Sequence, residues 1–131
     1  MTFSLHLSSL NGEFSCSLED VLRNINLTGV EYKVGMFPDT FGESERKFVF
    51  VHSDTDTHLG TKATLEKFAD CMVTGGRIML DDYQWVNCQG VEAAVREFLD
   101  TRTDFELIVL DNTWECSIDK TKINQAVLIK R

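Results

Sequence analysis

Four aspartates lie at the ends of two short apolar segments, where their carboxylates could hold a divalent metal ion. Asp54 and Asp56 follow one apolar segment, and Asp81 and Asp82 directly follow another. Ions such as Mg²⁺ take oxygen ligands, so carboxylates gathered at one point would form a suitable site. Aspartates after a strand also commonly accept hydrogen bonds from the backbone of a turn or a helix start. The residues alone leave both interpretations open.

The segments before these aspartates are predicted to be neighbouring parallel strands. Residues 48–53 form a nearly continuous apolar run, as expected for a strand covered by helices on both faces, and residues 77–80 form the next strand. Between them, apolar residues at helical spacing predict a helix over residues 61–73, ended by Gly75 and Gly76. Because ligands in such sheets bind beyond the carboxyl ends of the strands, we expect the four aspartates to converge there.

The rest of the chain continues the alternation of helices and strands. An amphipathic helix capped by Ser15 or Ser17 is predicted over residues 18–25, and alternating apolar residues predict a strand over residues 30–36 that Pro38 ends. These elements give an α/β fold class, a mostly parallel sheet with helices on its faces. The remaining predicted elements are a helix over residues 91–99 and two strands, residues 105–110 and 126–129, that pair antiparallel.

Length and composition indicate one globular domain. The 131 residues are 43% hydrophobic and 26% charged, which is ordinary for a folded protein. A net charge of −8 argues against nucleic acid as a partner, because phosphate backbones are bound by basic surfaces. No apolar run approaches the roughly 20 residues of a membrane helix, and the amino terminus has no signal-peptide pattern, so we expect no membrane partner and a cytoplasmic protein.

The cysteines carry no metal-binding or disulfide pattern. None of them forms a C-x-x-C pair, and no histidine stands at the spacing that would complete a zinc site. We therefore expect free thiols and no disulfide. The four cysteines are Cys16, Cys71, Cys88 and Cys116.

Several short motifs occur in order between Gly12 and Phe98. The first has small polar residues before a helix, and the last is an amphipathic helix pattern. The motifs between them include two glycine-containing stretches and the acidic pairs described above. In chain order the motifs are residues 13–21, Gly-Met-Phe-Pro-Asp-Thr at 35–40, Asp-Thr-Asp at 54–56, Thr-Lys-Ala-Thr-Leu-Glu at 61–66, the stretch at 75–83 that ends in Asp-Asp-Tyr, and residues 90–98.

In order and spacing, these motifs resemble the carboxyl-terminal part of the macrocin O-methyltransferase family, sugar O-methyltransferases that use S-adenosylmethionine. The resemblance implies a three-layer Rossmann-like methyltransferase sheet, truncated on its amino-terminal side, in one partial domain over residues 1–131. It also implies that the substrate is a sugar or another small hydroxylated molecule. Carried over by position, it implies that Asp54, Asp81 and Asp82 bind Mg²⁺ and that Asp56 is the general base.

The cofactor half of such a site has no counterpart in this sequence. In this fold, the cofactor binds a glycine-rich turn after the first strand and an acidic residue after the second. No two of the eight glycines in the chain are spaced G-x-G. We therefore expect the chain alone to bind S-adenosylmethionine weakly or not at all, and to catalyse little or no methyl transfer.

Other functions are compatible with the same residues. The chain could be an active O-methyltransferase completed by oligomerisation, or a non-catalytic interaction domain. The sequence Asp-Thr-Asp at 54–56 also superficially matches the start of the D-x-D-x-T motif of phosphatases, in which the first aspartate, here Asp54, is the nucleophile.

Association into a homodimer is expected from the amino terminus and from the sheet. Phe3, Leu5, Leu7 and Leu10 are apolar residues ahead of the first predicted helix. A truncated sheet would in addition leave strand edges without partners. Pairing of two identical edges about a two-fold axis would satisfy both, and this symmetry is the commonest in oligomers.

Overall fold

The computed structural model describes residues 17–25, 28–42 and 45–131. The chain divides into two compact units, residues 1–44 and residues 45–131, and each is described by itself. The apolar residues at positions 3–10 and the alternative helix cap at Ser15 lie outside the described residues. Within the described part of the chain, no helix is long and apolar enough to cross a membrane.

The first unit begins with the short helix α1, Leu18–Asn24, as predicted. Its cap is Ser17, whose hydroxyl oxygen accepts a hydrogen bond from the backbone N–H of Asp20 at 3.1 Å. The negative charges of acidic residues in the first turn and the positive charge of Arg23 in the last turn interact favourably with the helix dipole. The Ser17 cap and this charge pattern therefore explain why α1 begins at Leu18.

The strand predicted over residues 30–36 is wrong, because residues 30–34 have no regular secondary structure and residues 35–36 form a bend. Alternating apolar residues predict a strand only if one of their faces is buried, yet Val34 and Met36 are 66% and 69% exposed. The segment instead leads into a tight turn. Gly35 has a φ of +131°, and a Cβ atom on it would lie 2.6 Å from Cγ2 of Thr40, so this turn requires glycine.

The second unit is a four-stranded sheet with two long helices. The strands lie in the order β1-β2-β4-β3; β1 and β2 are parallel, and β4 runs antiparallel to both β2 and β3. The predicted α/β class, with mostly parallel strands and an antiparallel last strand, is thereby confirmed. The elements are β1 (Phe48–Ser53), α2 (His58–Phe68), a 3₁₀ turn (Ala69–Cys71), β2 (Met72–Tyr83), α3 (Gln89–Thr101), β3 (Phe105–Glu115) and β4 (Lys122–Lys130).

The prediction that Gly75 and Gly76 end a helix is wrong, because both lie inside β2. The register between β1 and β2 shifts at this point, where Gly75 has a φ of +78°. A Cβ atom on Gly76 would lie 2.8 Å from both Cε of Met72 and the carbonyl oxygen of Val73. The two glycines therefore permit a bulge and a close backbone approach in the strand, which are the other common uses of glycine.

The core lies between the sheet and the helices α2 and α3, which pack against each other. Along β1, β2 and β4, alternate side chains are buried, as strand geometry requires. Burial of these side chains fixes which residues face the helices and which face away from them. The core side chains are Val51, Ile78, Leu80, Ala126 and Leu128 from the sheet and Leu65, Phe68, Val91, Ala94 and Val95 from the helices.

Leu80 directly precedes the acidic pair of β2, so its burial anchors that pair. We expect Leu80→Ala to lower the free energy of unfolding by about 2–5 kcal/mol, the usual cost of a buried leucine. Leu59→Ala is the matched control, because Leu80 is 0% exposed and Leu59 is 78% exposed. That change should alter stability by less than about 0.5 kcal/mol. Urea denaturation of both variants measures the difference, and equal losses would contradict this core assignment.

Candidate metal and acid–base site

The structure brings all four predicted site residues to one edge of the sheet. Asp54 and Asp56 follow β1, and Asp81 and Asp82 lie at the end of β2. The side chain of Asp56 hydrogen bonds to those of Asp54 and Asp82, and the charge of Asp81 acts on both of the latter. Ligand atoms of Asp56, Asp82 and Cys88 lie within 4.8 Å of one another. Parallel pairing of β1 and β2 is what places their carboxyl ends side by side.

A break in strand alternation lets Asp81 and Asp82 both reach this edge. In a regular strand, Tyr83 would lie on the same face as Asp81, but Tyr83 is buried with the core, like Leu80. The register between β2 and β4 shifts between Leu80 and Tyr83, and Asp82 has a φ of +55°. This bulge changes the direction of the Asp82 side chain. Two consecutive aspartates can then face one site.

The loop that carries Asp54 and Asp56 is fastened to the start of α2. The hydroxyl oxygen of Thr57 accepts a hydrogen bond from the backbone N–H of Gly60 at 3.1 Å and so caps α2. The buried hydroxyls of Thr55 and Thr61 lie 3.2 Å apart. This attachment holds Asp56 in a left-handed conformation, with a φ of +54°, which aspartate tolerates better than most residues.

Burial and like charges perturb the acid–base behaviour of this cluster. Burial, a hydrogen bond to Asp56 and the charges of Asp56, Asp54 and Asp81 raise the pKa of Asp82 to about 7. The pKa of Asp54 is also raised, first by burial and then by the charges of Asp56 and Asp81. Without a cation, Asp82 therefore retains its proton up to about pH 7, and Asp54 retains its proton to a higher pH than an exposed aspartate does.

The donor atoms of the cluster fit a hard divalent cation such as Mg²⁺. Burial, followed by the charges of Asp82, Asp56 and Asp54, raises the pKa of the Cys88 thiol to about 12, so it stays a neutral thiol at neutral pH. The anionic donors are therefore carboxylate oxygens, which Mg²⁺ and Mn²⁺ prefer. A divalent cation would replace the retained protons and offset the like-charge repulsion.

Asp81 has two hydrogen-bond partners that the short sequence motifs do not predict. His52 Nε2 lies 2.8 Å from Oδ2 of Asp81, and the side-chain amide of Gln125 donates to Oδ1. His52 stands two residues before Asp54, on a strand, and this spacing is a weak local signal. Gln125 is distant in sequence and offers no such signal. The second histidine near the acidic loop, His58, instead lies 2.9 Å from Oε1 of Glu97.

A cleft of about 440 Å³ lies along the loop that links β2 to α3. Trp85 is one of its walls, and its indole N–H donates to Oγ1 of Thr121 at 2.7 Å. Gln84, Gln89 and Glu92 add polar groups to the lining. In sequence, the loop begins two residues after Asp82. The cleft thus offers an aromatic ring and hydrogen-bonding side chains next to the acidic segment of the chain.

Comparison with known proteins identifies the fold. No family model and no curated protein matches the sequence. Among solved structures, the O-methyltransferase NovP is 25% identical, with a TM-score of 0.65 over 88% of this chain and 45% of NovP. The O-methyltransferase TomG from Streptomyces achromogenes, which is involved in tomaymycin synthesis and was solved with SAM, is 17% identical, with a TM-score of 0.56 over 78% of this chain and 50% of TomG.

An O-methyltransferase from Bacillus cereus, solved with SAH, gives a similar result, with 17% identity and a TM-score of 0.57 over 77% of this chain and 50% of that protein. The chain therefore has the Rossmann-like fold of class I methyltransferases. It spans about half the length of these three proteins.

The raised pKa of Asp82 predicts that the metal-free protein is less stable at pH 8 than at pH 5. An unfolded aspartate has a pKa of about 3.9, so between that pH and about 7 the folded state binds more protons than the unfolded state. Stability therefore falls as pH rises through this window, by roughly 1–2 kcal/mol for a half-buried group.

Urea denaturation in the presence of a chelator measures this dependence. Asp82→Asn should flatten the decline between pH 5 and pH 8, whereas the control Asp100→Asn, which changes an exposed carboxylate on α3, should leave it in place. A decline that is equally steep in Asp82→Asn would show that other groups cause it.

Proposed function

We propose that this chain carries the metal and acceptor half of a Mg²⁺-dependent O-methyltransferase site of the macrocin O-methyltransferase type. The observation that carries the proposal is the position of Asp54, Asp56, Asp81 and Asp82 at the carboxyl edge of two parallel strands, with ligand atoms of Asp56 and Asp82 within 4.8 Å of each other. The methyltransferase fold supports it, and so do the motifs around these aspartates. In this proposal the acceptor is a sugar or another small hydroxylated molecule.

Asp54, Asp81 and Asp82 would hold the metal ion through carboxylate oxygens. A bound Mg²⁺ supplies a Lewis acid that orients hydroxyl groups and lowers their pKa. Asp56 and Asp82 both have left-handed backbone conformations, and ligand atoms of the two side chains lie within 4.8 Å of each other. The proposed base would therefore stand beside a proposed metal ligand before any acceptor binds, which is the preorganisation that catalysis needs.

Asp56 would act as the general base. S-adenosylmethionine, where bound, would supply an electrophilic methyl group, and the acceptor hydroxyl that attacks it would lose its proton to a carboxylate oxygen of Asp56 while the carbon–sulfur bond breaks. Asp54, Asp81 and Asp82 would hold the metal ion, and Asp56 would be left as the carboxylate that receives this proton. The cleft at Trp85 would hold the part of the acceptor that does not react, with the ring as its apolar wall.

Metal binding is the first test of this proposal. We expect millimolar Mg²⁺ or Mn²⁺ to raise the melting temperature, because the folded state gathers the carboxylates and the unfolded state does not. At 100 times the dissociation constant, the added stability is about 2.7 kcal/mol. Asp54→Asn, Asp81→Asn and Asp82→Asn should each remove most of this gain in differential scanning fluorimetry.

Asp100→Asn is the matched control for these variants, because it removes one negative charge from an exposed position on α3. It should respond to the metal like the parent protein. If the three site variants and the control all keep the same metal-dependent shift, the metal is bound elsewhere and the proposal is wrong.

Binding of S-adenosylmethionine is the second test. The 131 residues contain no G-x-G turn, so isothermal titration calorimetry of this chain should detect weak binding or none. Metal titration of the same sample supplies the positive control, because that half of the site is expected to be intact. Micromolar binding of S-adenosylmethionine by the 131-residue chain would contradict the division of the site proposed above.

A further inference from the structure

We propose that His52 and Gln125 are positioning residues that fix the Asp81 carboxylate for metal binding. The inference rests on the proposed function, and it concerns residues to which no motif in the sequence gives a role. His52 belongs to β1, and Gln125 belongs to β4, so the two approach Asp81 from the strands on either side of β2. Each of them forms a hydrogen bond to a different oxygen of the Asp81 carboxylate.

The sheet register makes this arrangement geometrically specific. Leu80 of β2 pairs with Ala126 of β4, and both are buried among the core side chains. The residues adjacent to this pair are Asp81, which follows Leu80, and Gln125, which precedes Ala126. Both therefore face away from α2 and α3. In β1, His52 lies between the buried residues Val51 and Ser53, so it projects to this same face. Three neighbouring strands thus contribute one side chain each to a row across the face of the sheet opposite α2 and α3.

The surroundings of Asp81 differ from those of the other aspartates in the cluster. Asp54 and Asp82 each have the carboxyl group of Asp56 as a hydrogen-bonding neighbour. Asp81 instead receives donors from neutral or cationic side chains on both oxygens. Each carboxylate oxygen has a second lone pair, so these two hydrogen bonds leave positions on Asp81 for a metal ion.

Two donors on opposite oxygens restrict rotation of the Asp81 carboxylate at the edge that also carries Asp54 and Asp82. Outer hydrogen bonds of this kind orient metal ligands, and their loss typically weakens metal binding by roughly 10–100-fold. The same contacts would have a different consequence if they served only to stabilise the fold. In that case their loss would lower the melting temperature without changing the affinity for metal.

The experiment measures the affinity for Mn²⁺ from the electron paramagnetic resonance signal of the free ion, together with the melting temperature in chelator. His52→Leu and Gln125→Met remove one donor each at similar side-chain size. We expect either change to weaken Mn²⁺ binding by roughly 10-fold or more. His52→Gln keeps an N–H group near the position of Nε2, and its affinity should stay within about threefold of the parent value.

His58→Leu is the matched control, because it removes a histidine–carboxylate contact of similar length, to Glu97, that does not involve Asp81. It should leave the Mn²⁺ affinity unchanged. Parent-like affinity in both His52→Leu and Gln125→Met would overturn the inference, whatever their melting temperatures. If one of them does not fold, the other decides, since each removes its own hydrogen bond.

The Asp82→Asn variant separates this inference from the proposed function. If Asp82→Asn loses Mn²⁺ while His52→Leu and Gln125→Met retain it, the metal site stands and the positioning role is wrong. If the parent protein binds no Mn²⁺, the proposed function fails and the inference fails with it. Loss of affinity in Asp82→Asn, His52→Leu and Gln125→Met, with His58→Leu unaffected, supports both.

Discussion

Repulsion among carboxylates at the edge of β1 and β2 is the constraint around which this part of the protein is built. Aspartates in contact with one another cannot all be charged in a half-buried site unless protons or a cation offset their charge. Burial first, and then the neighbouring carboxylates, raise the pKa values of Asp54 and Asp82. Their positions are nevertheless imposed by strand pairing and by the attachment of the acidic loop to α2. The scaffold thus holds together groups that would otherwise separate.

The opposite end of the sheet has its charges paired. Arg102, just after α3, forms ion pairs with Asp104 at 2.8 Å and with Asp70 at 2.9 Å, and its guanidinium group lies over the ring of Phe105 at 5.5 Å. The hydrogen bonds from Arg102 hold the pKa of Asp104 well below its usual range. The carboxylates at this end of the sheet have cationic partners, which is typical of a structural charge cluster. The carboxylates at the acidic edge lie against other carboxylates, which is typical of a cluster that could take a cation.

The sequence predicted those structural features whose signal lies within one short stretch of residues. The apolar segments before Asp54 and Asp81 predicted the two strands and the shared edge of the acidic residues. The expected cover on both faces of the first strand is wrong, because Val49 and Phe50 are 70% and 48% exposed. The strand over residues 30–36 failed because its alternation is not accompanied by burial, as the exposure of Val34 demonstrates. Gly75 and Gly76 were misassigned because a helix end and a strand bulge use the same conformational freedom of glycine.

The hydrogen bonds to Asp81 depend on information that no local pattern holds. Gln125 reaches Asp81 because of the register of two antiparallel strands, and that register shifts at the bulge before Tyr83. A shift of one residue in β4 would have placed Gln125 among the core side chains instead. The sequence therefore predicts that the four aspartates lie at one edge of the sheet, but it does not predict how their carboxylates are oriented there.

The chain order of the acidic residues has a consequence for how such a site can be specified. Asp54 and Asp82 are joined by a single strand–helix–strand unit, whose two parallel strands are neighbours in both sequence and space. The helix of this unit, α2, packs with α3 over the same core that anchors both strands. Geometry at the acidic edge therefore depends on contacts within residues 45–131. For this reason the positions of all four aspartates are specified within a chain that spans about half the length of the methyltransferases it is similar to.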